Sequence, residues 1–276
     1  MKGTGVVMAL VSLLGGQDRQ DTRARLDVVS EEVVFERVRV VSDPLTVLRQ
    51  LESAAPADRT RGFRVLGLNP ADGDVPLPPL ASISFENLDD DSDLEVLLTV
   101  KVVGGSIIFV MDMSQGSWWI VGKFTNGLRG DVDGGRVVEL RSLVDIGRSE
   151  IIVRETDGGT DISETHLSIY RVQSGKLRRV FRTVERARYR VVGVQAAGTF
   201  TVEHAWLSYP DQREVGRSII VIDRVKVVTG VRRNLLPERR AQMTPGSCEV
   251  YRWTADRQEF IVYPYGRRRF CEDRDR

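Results

Sequence analysis

The sequence predicts an all-β, antiparallel fold assembled from repeated units, with one short helix near the N-terminus. Three observations point there. From Ala81 onward, short runs rich in Val, Ile, Phe, Tyr and Trp follow one another, separated by Gly, Asp, Asn and Ser turns. Nothing between these runs has the length or the period of the helices that a βαβ fold needs. One run also recurs, together with the loop before it, 55 residues further on.

In chain order, MKGTGVVMALVSLLGGQDRQ places Lys2 ahead of an apolar run from Val6 to Leu14 and then small residues, the order of a signal peptide over residues 1–19. The run is too short to cross a bilayer as a helix, and no later segment approaches the roughly 20 apolar residues required. Residues 20–75 form an N-terminal strand and helix segment. LDVVSEEVVFERVRVV (Leu26 to Val41) reads as strand. DPLTVLRQLESAA (Asp43 to Ala55) reads as the one helix, with Leu45, Val47, Leu48 and Leu51 at helical spacing, Asp43 as N-cap and Pro44 at the first helical position. The proline-rich PADGDVPLPPL (Pro70 to Leu80) is a linker, and residues 76–276 are the β-repeat domain.

Composition narrows the function classes. The 276 residues carry 40 basic and 39 acidic side chains, a net charge of +1, so no global field selects nucleic acid or an anionic membrane. The two cysteines, Cys248 and Cys271, are consistent with a disulfide in an oxidising compartment, secreted or periplasmic. That bridge would close a loop of about twenty residues and contribute on the order of 3 kcal/mol.

Within the repeat, NLDDDSDLEVLL (Asn87 to Leu98) aligns with SLVDIGRSEIIV (Ser142 to Val153): Leu88 meets Leu143, Asp90 meets Asp145, and Glu95 meets Glu150. A hairpin follows each, SIIFVMDMSQGSWWIVGKF after the first and HLSIYRVQSGKLRRVF after the second. VGRSIIVI (Val215 to Ile222), with CEVYRW beyond it, is a third and incomplete copy. This unit resembles the FG-GAP or VCBS-type repeat of integrin-like β-propellers, in which a D-x-D-x-D-G-x-x-[DE] loop precedes an aliphatic strand. The resemblance spans roughly Ile83 to Tyr263 and implies propeller-like repeats; a β-sandwich of related hairpins is the alternative, because too few units are visible to close a propeller.

Counted from Asn87, side-chain oxygens fall at positions 1, 3, 5, 7 and 9: Asn87, Asp89, Asp91, Asp93 and Glu95. Calcium takes six to eight oxygen ligands, and alternate carboxylates in a short loop supply them. The resemblance implies Asn87, Asp89, Asp91 and Glu95 as Ca2+ ligands, with Asp93 an additional candidate. Ser92 stands where the family has glycine, which would be strained if the position needs a positive φ. A solvated turn in which the aspartates cap backbone amides explains the same residues without an ion. The twin loop keeps Asp145, Gly147 and Glu150 but has Val144 and Ile146 at two ligand positions, so it should bind no metal. Asp131 and Asp133 form a weaker second candidate, or simply a hairpin turn.

Signs of catalysis are sparse. His166 and His204, with Glu164 and Glu203 nearby, would make a site only if their strands meet; no P-loop, nucleophile elbow or dinucleotide glycine motif occurs. The basic run KLRRVFRTVERARYR (Lys176 to Arg190) should have one wet and one buried face. Of the adjacent Trp118 and Trp119, one should be core and the other outward. The expectation is an exported, non-enzymatic binding or structural protein with a calcium loop and a protein or glycan partner. An exported carbohydrate-active hydrolase or lyase is the alternative.

Overall fold

Alternating aliphatic side chains and tight turns produce thirteen strands and three short helices among the described residues of the computed structural model, which are 37–40, 42–69, 80–102, 105–126, 135–158, 162–190, 200–210, 218–229 and 242–271. The expected leader, most of the strand from Leu26, the proline-rich linker, and Asp131 with Asp133 lie outside them. The strands form two antiparallel sheets. In the first, β1 (Val38–Val40), β2 (Ala81–Glu86), β3 (Glu95–Val102), β4 (Gly105–Ser114) and β5 (Ser117–Asn126) run in the order β1-β5-β4-β3-β2. The second is a meander of β6 (Gly135–Arg141), β7 (Glu150–Gly158), β8 (Ile162–Gln173), β9 (Lys176–Arg190), β10 (Phe200–Ser208), β11 (Ile219–Thr229), β12 (Gln242–Thr254) and β13 (Glu259–Val262).

The helices depart from expectation. α1 (Pro44–Leu51) is capped as the sequence implies, Asp43 accepting from the Thr46 backbone N–H at 3.0 Å and from its hydroxyl at 2.6 Å. A second helix, α2 (Pro56–Val65), follows it. Its sequence, PADRTRGFRV, has no apolar stripe; only Pro56 at the first helical position marks it. Arg59 is buried beneath it and donates to the carbonyls of Ser53 and Ala54, tying the helix to the turn before it. α3 (Gly266–Phe270) lies near the C-terminal end.

The strands group into three four-stranded units, β2 to β5, β6 to β9 and β10 to β13, which pack face to face. Val96, Leu98, Val100, Phe109 and Met111 on one face of unit 1 join Val47, Leu51 and Phe63 of the helices. Leu97, Val110 and Val121 on its other face meet Ile151, Val153, Val172 and Leu177 of unit 2. The opposite face of unit 2, with Ile152, Leu167, Ile169 and Phe181, meets Ile220, Ile222, Tyr251 and Phe260 of unit 3. The last face of unit 3 is covered by α3 through Val221, Val250, Cys271 and Phe270, and the Cys248–Cys271 disulfide fastens that cover.

The molecule is thus all-β, but its sheets are open and no closed propeller or barrel forms among the described residues. Helices cover the two outer faces that a closed ring would press together. Burial of unit 2 on both sides also changes the reading of the basic strand. Arg179 on β9 is buried while Arg186 and Arg188 are exposed, so the strand has no continuous wet face. Trp118 and Trp119 do point to opposite faces, yet both are half-buried, one against the helix side and one toward unit 2.

Two-residue turns with both residues at positive φ close the hairpins of units 1 and 2, Gln115-Gly116 and Ser174-Gly175. Gly122 of unit 1 packs directly on Leu177 of unit 2, where an added Cβ would meet Leu177 Cδ2 and stand 3.1 Å from its Cβ. Gly122→Ala should therefore cost about 1–3 kcal/mol in denaturant unfolding by overpacking, and Leu177→Ala in the same chain should recover part of that loss. A cost no larger than that of a surface substitution would contradict this packing.

Candidate metal centre

The loop between β2 and β3 is built by its own aspartates. Asp89 Oδ1 accepts from the Asp91 N–H at 2.9 Å, and Asp91 Oδ1 accepts from the Asp93 N–H at 2.8 Å, two successive side-chain turns. Ser92 is not among the residues with positive φ, so the glycine of the motif is dispensable here; in the twin loop Gly147 does adopt φ 89°. Leu88 is fully buried between units 1 and 2. Its insertion buries its N–H, which donates to Glu95 Oε2 at 2.5 Å.

The twin loop repeats that bond. Leu143 is buried between units 2 and 3, and its N–H donates to Glu150 Oε2 at 2.6 Å. The recurring Leu and Glu of the two loops are therefore a structural pair. Glu95, one of the ligands that the resemblance implies, has one oxygen with a purely structural task.

Its other oxygen has none. Glu95 is 1% exposed, and Oε1 has no hydrogen-bond partner; the same is true of the buried Oδ1 of Asn87. Carboxylate oxygens of Asp89, Asp91 and Glu95 lie within 4.8 Å of one another. Asp89 is buried, Asp91 is exposed, and Asp93 is exposed and outside this trio. Burial, followed by the charges of Asp89, Asp112 and Asp91, pushes Glu95 up to about 7 against the hydrogen bond from Leu88. Burial likewise raises Asp89 and Asp112.

Asp112 is a neighbouring acid that loop spacing could not reveal, and it stands outside the trio whose oxygens lie within 4.8 Å of one another. It sits on β4, is 2% exposed, and its Oδ1 has no hydrogen-bond partner. Two cations border the site. Arg37, stacked on Trp119, stands 3.7 Å from Asp112, and Arg148 of the twin loop pairs with Asp90. The Asn87 carbonyl accepts from the Ser149 N–H at 2.8 Å, so the two loops are joined directly. Four carboxylates, of Asp89, Asp91, Glu95 and Asp112, stand beside these two guanidiniums, of which Arg148 is already paired with Asp90. Hard oxygen donors, two of them buried and unpartnered, suit a calcium-type cation.

The other candidates do not assemble in this way. His166 on β8 and His204 on β10 lie on either side of β9, across from Val184 and Arg186 respectively. His166 is 3.2 Å from Glu164, and the His204 ring stacks near Trp206. The fold and this loop define an all-β protein of two antiparallel sheets with an acidic cluster that could hold a metal ion. No protein-family model, curated protein or solved structure matches the chain.

Without metal, Glu95 binds a proton more tightly in the folded than in the unfolded chain. Its contribution to stability is fully present below the ordinary value of 4.5 and is lost as pH rises through about 7. In EDTA, the wild-type melting midpoint should fall over that window relative to Glu95→Gln, which keeps an acceptor for Leu88. Parallel pH profiles for the two proteins would show that Glu95 is not perturbed in this way.

Proposed function

We propose that the protein is an exported, non-enzymatic binding or structural protein of propeller-like β-repeats, in which Ca2+ held by Asn87, Asp89, Asp91 and Glu95 rigidifies the β2–β3 loop, whose Leu88 packs between units 1 and 2. The observation that carries this reading is the buried, unpartnered Oε1 of Glu95 beside the carboxylates of Asp89 and Asp91. A buried carboxylate oxygen without a donor is costly, and a cation removes the cost. Asp93, at the exposed rim, is left to hold solvent around the ion.

Three further observations support the reading. The Leu and Glu pair recurs in both loops with the same hydrogen bond, as expected of two copies of one repeat unit. The Cys248–Cys271 bridge agrees with a secreted or periplasmic location. Oxygens converging on one point, in place of two carboxylates facing each other across an aromatic cleft, favour an ion over glycoside hydrolysis. For a protein or glycan partner, Trp206 on β10, 56% exposed beside His204, offers an aromatic platform.

Thermal melts test the ion. Calcium at about a hundredfold excess over its Kd should raise the midpoint by roughly 5 °C or more relative to EDTA. The doubly substituted Asp89→Ala, Asp91→Ala protein should not respond. If neither chelation nor the double substitution moves the midpoint, the calcium reading is wrong.

A further inference from the structure

Across unit 1, the register sets Glu86 opposite Glu95, and the register that sets Val96 opposite Met111 brings Glu95 opposite Asp112 one step further on. Residues directly opposite share a face, with Cβ atoms about 5 Å apart. Three acids therefore stand side by side on β2, β3 and β4, and the next position, on β5, is Trp119. Like charges in such positions repel, and here two of the three are almost fully buried.

The same row in unit 2 reads Arg141, Glu150, Arg171, Arg178. Glu150 is fully buried like Glu95, and its Oε1 likewise accepts no hydrogen bond, but the Nε of Arg171 stands 3.2 Å away as an ion-pair partner. Arg171, itself buried, also donates to Asp145 Oδ2 at 2.8 Å, and so grips both the strand glutamate and the loop aspartate. In unit 3 the glutamate position is Ile219, opposite Arg252, and Arg252 leans on Tyr263. Each unit has solved the same electrostatic problem differently. Unit 2 carries its own cation, unit 3 has discarded the anion, and unit 1 has two facing anions.

We propose that Asp112 is a further ligand of the cation in unit 1, and that the residue at its position decides whether a unit needs a metal: Asp112 recruits a divalent cation where Arg171 supplies a guanidinium. This rests on the calcium reading above. It extends the site beyond the loop: Asp112 lies outside the trio whose oxygens are within 4.8 Å of one another, so its carboxylate must turn toward the ion, which then clamps the loop to β3 and β4 together. Two observations independent of the loop sequence support it: the orphan Oδ1 of Asp112 and the orphan Oε1 of Glu95, both almost fully buried. Arg37, at 3.7 Å, partly balances Asp112 but reaches neither orphan oxygen through a hydrogen bond.

Calcium titration of the full chain by calorimetry, with melts in EDTA, tests this on wild type, Asp112→Asn and Asp112→Arg. Asp112→Asn should weaken calcium binding roughly tenfold or more. It should also melt higher than wild type in EDTA, since it removes a buried repulsion. Asp112→Arg should bind no calcium and melt at the same temperature with calcium or EDTA, reproducing the self-sufficient arrangement of unit 2. The Asn variant is nearly isosteric, so its affinity can be read even if the Arg variant does not fold. If wild type binds no calcium, the calcium reading itself fails. If wild type binds and Asp112→Asn binds equally well, the site stands and the role of Asp112 is overturned.

Discussion

A single hydrogen bond, from the backbone N–H of a buried loop leucine to the glutamate that opens the next strand, is the constraint on which the stacking of this protein depends. Leu88 and Leu143 are the side chains that the loops insert between successive layers. A loop residue that dives into a core takes its amide with it, and that amide needs an acceptor. Glu95 and Glu150 provide it from the first residue of β3 and β7. A buried carboxylate then stands at every junction so made, and the charge it brings must be balanced locally.

Geometry explains why the carboxylate always faces the following unit. Glu95 shares the strand face of Leu97, which packs on unit 2, and Glu150 shares that of Ile152, which packs on unit 3. The direction of the stack is thus encoded by residue parity along each strand. Among the described residues no further β unit packs on unit 3. There Ile219 replaces the glutamate, and the disulfide with α3 supplies the cover. At the first end α1 and α2 do the same for the outer face of unit 1. Terminal caps of this kind are what a finite stack needs to keep its end faces from water.

Much of this was legible in the sequence. Asp43 with Pro44 announced α1, the aliphatic runs announced the strands, and the Leu and Glu of the two loops announced the repeat. α2 was not legible, because its burial rests on Phe63 and on the buried Arg59, and an arginine inside reads as a surface residue in any pattern. Asp112 was hidden for a different reason. In SIIFVMDM a lone acid among apolar residues looks like an outward position on an edge. Its true surroundings follow from strand register, which places it beside Glu95 although 17 positions separate them in the chain. Spacing within the loop could find Asp89, Asp91 and Glu95, but not the residue that faces them from the next strand.

The comparison between units also separates two explanations that the loop alone leaves tangled. If NLDDDSDLE were acidic only because it is a solvated turn, acids would gather at its exposed tip, where Asp90, Asp91 and Asp93 are. Solvation gives no reason for Asp112 and Glu95, both withdrawn from water, to face each other without a proton donor between them. In unit 2, Arg171 stands opposite the glutamate, and the loop before it carries fewer acids than the loop of unit 1. A guanidinium already in place makes further carboxylates unnecessary. In unit 1 the register sets a second acid, Asp112, at that place, behind the loop that is richer in aspartate, and the calcium site proposed above is an arrangement that would offset both charges.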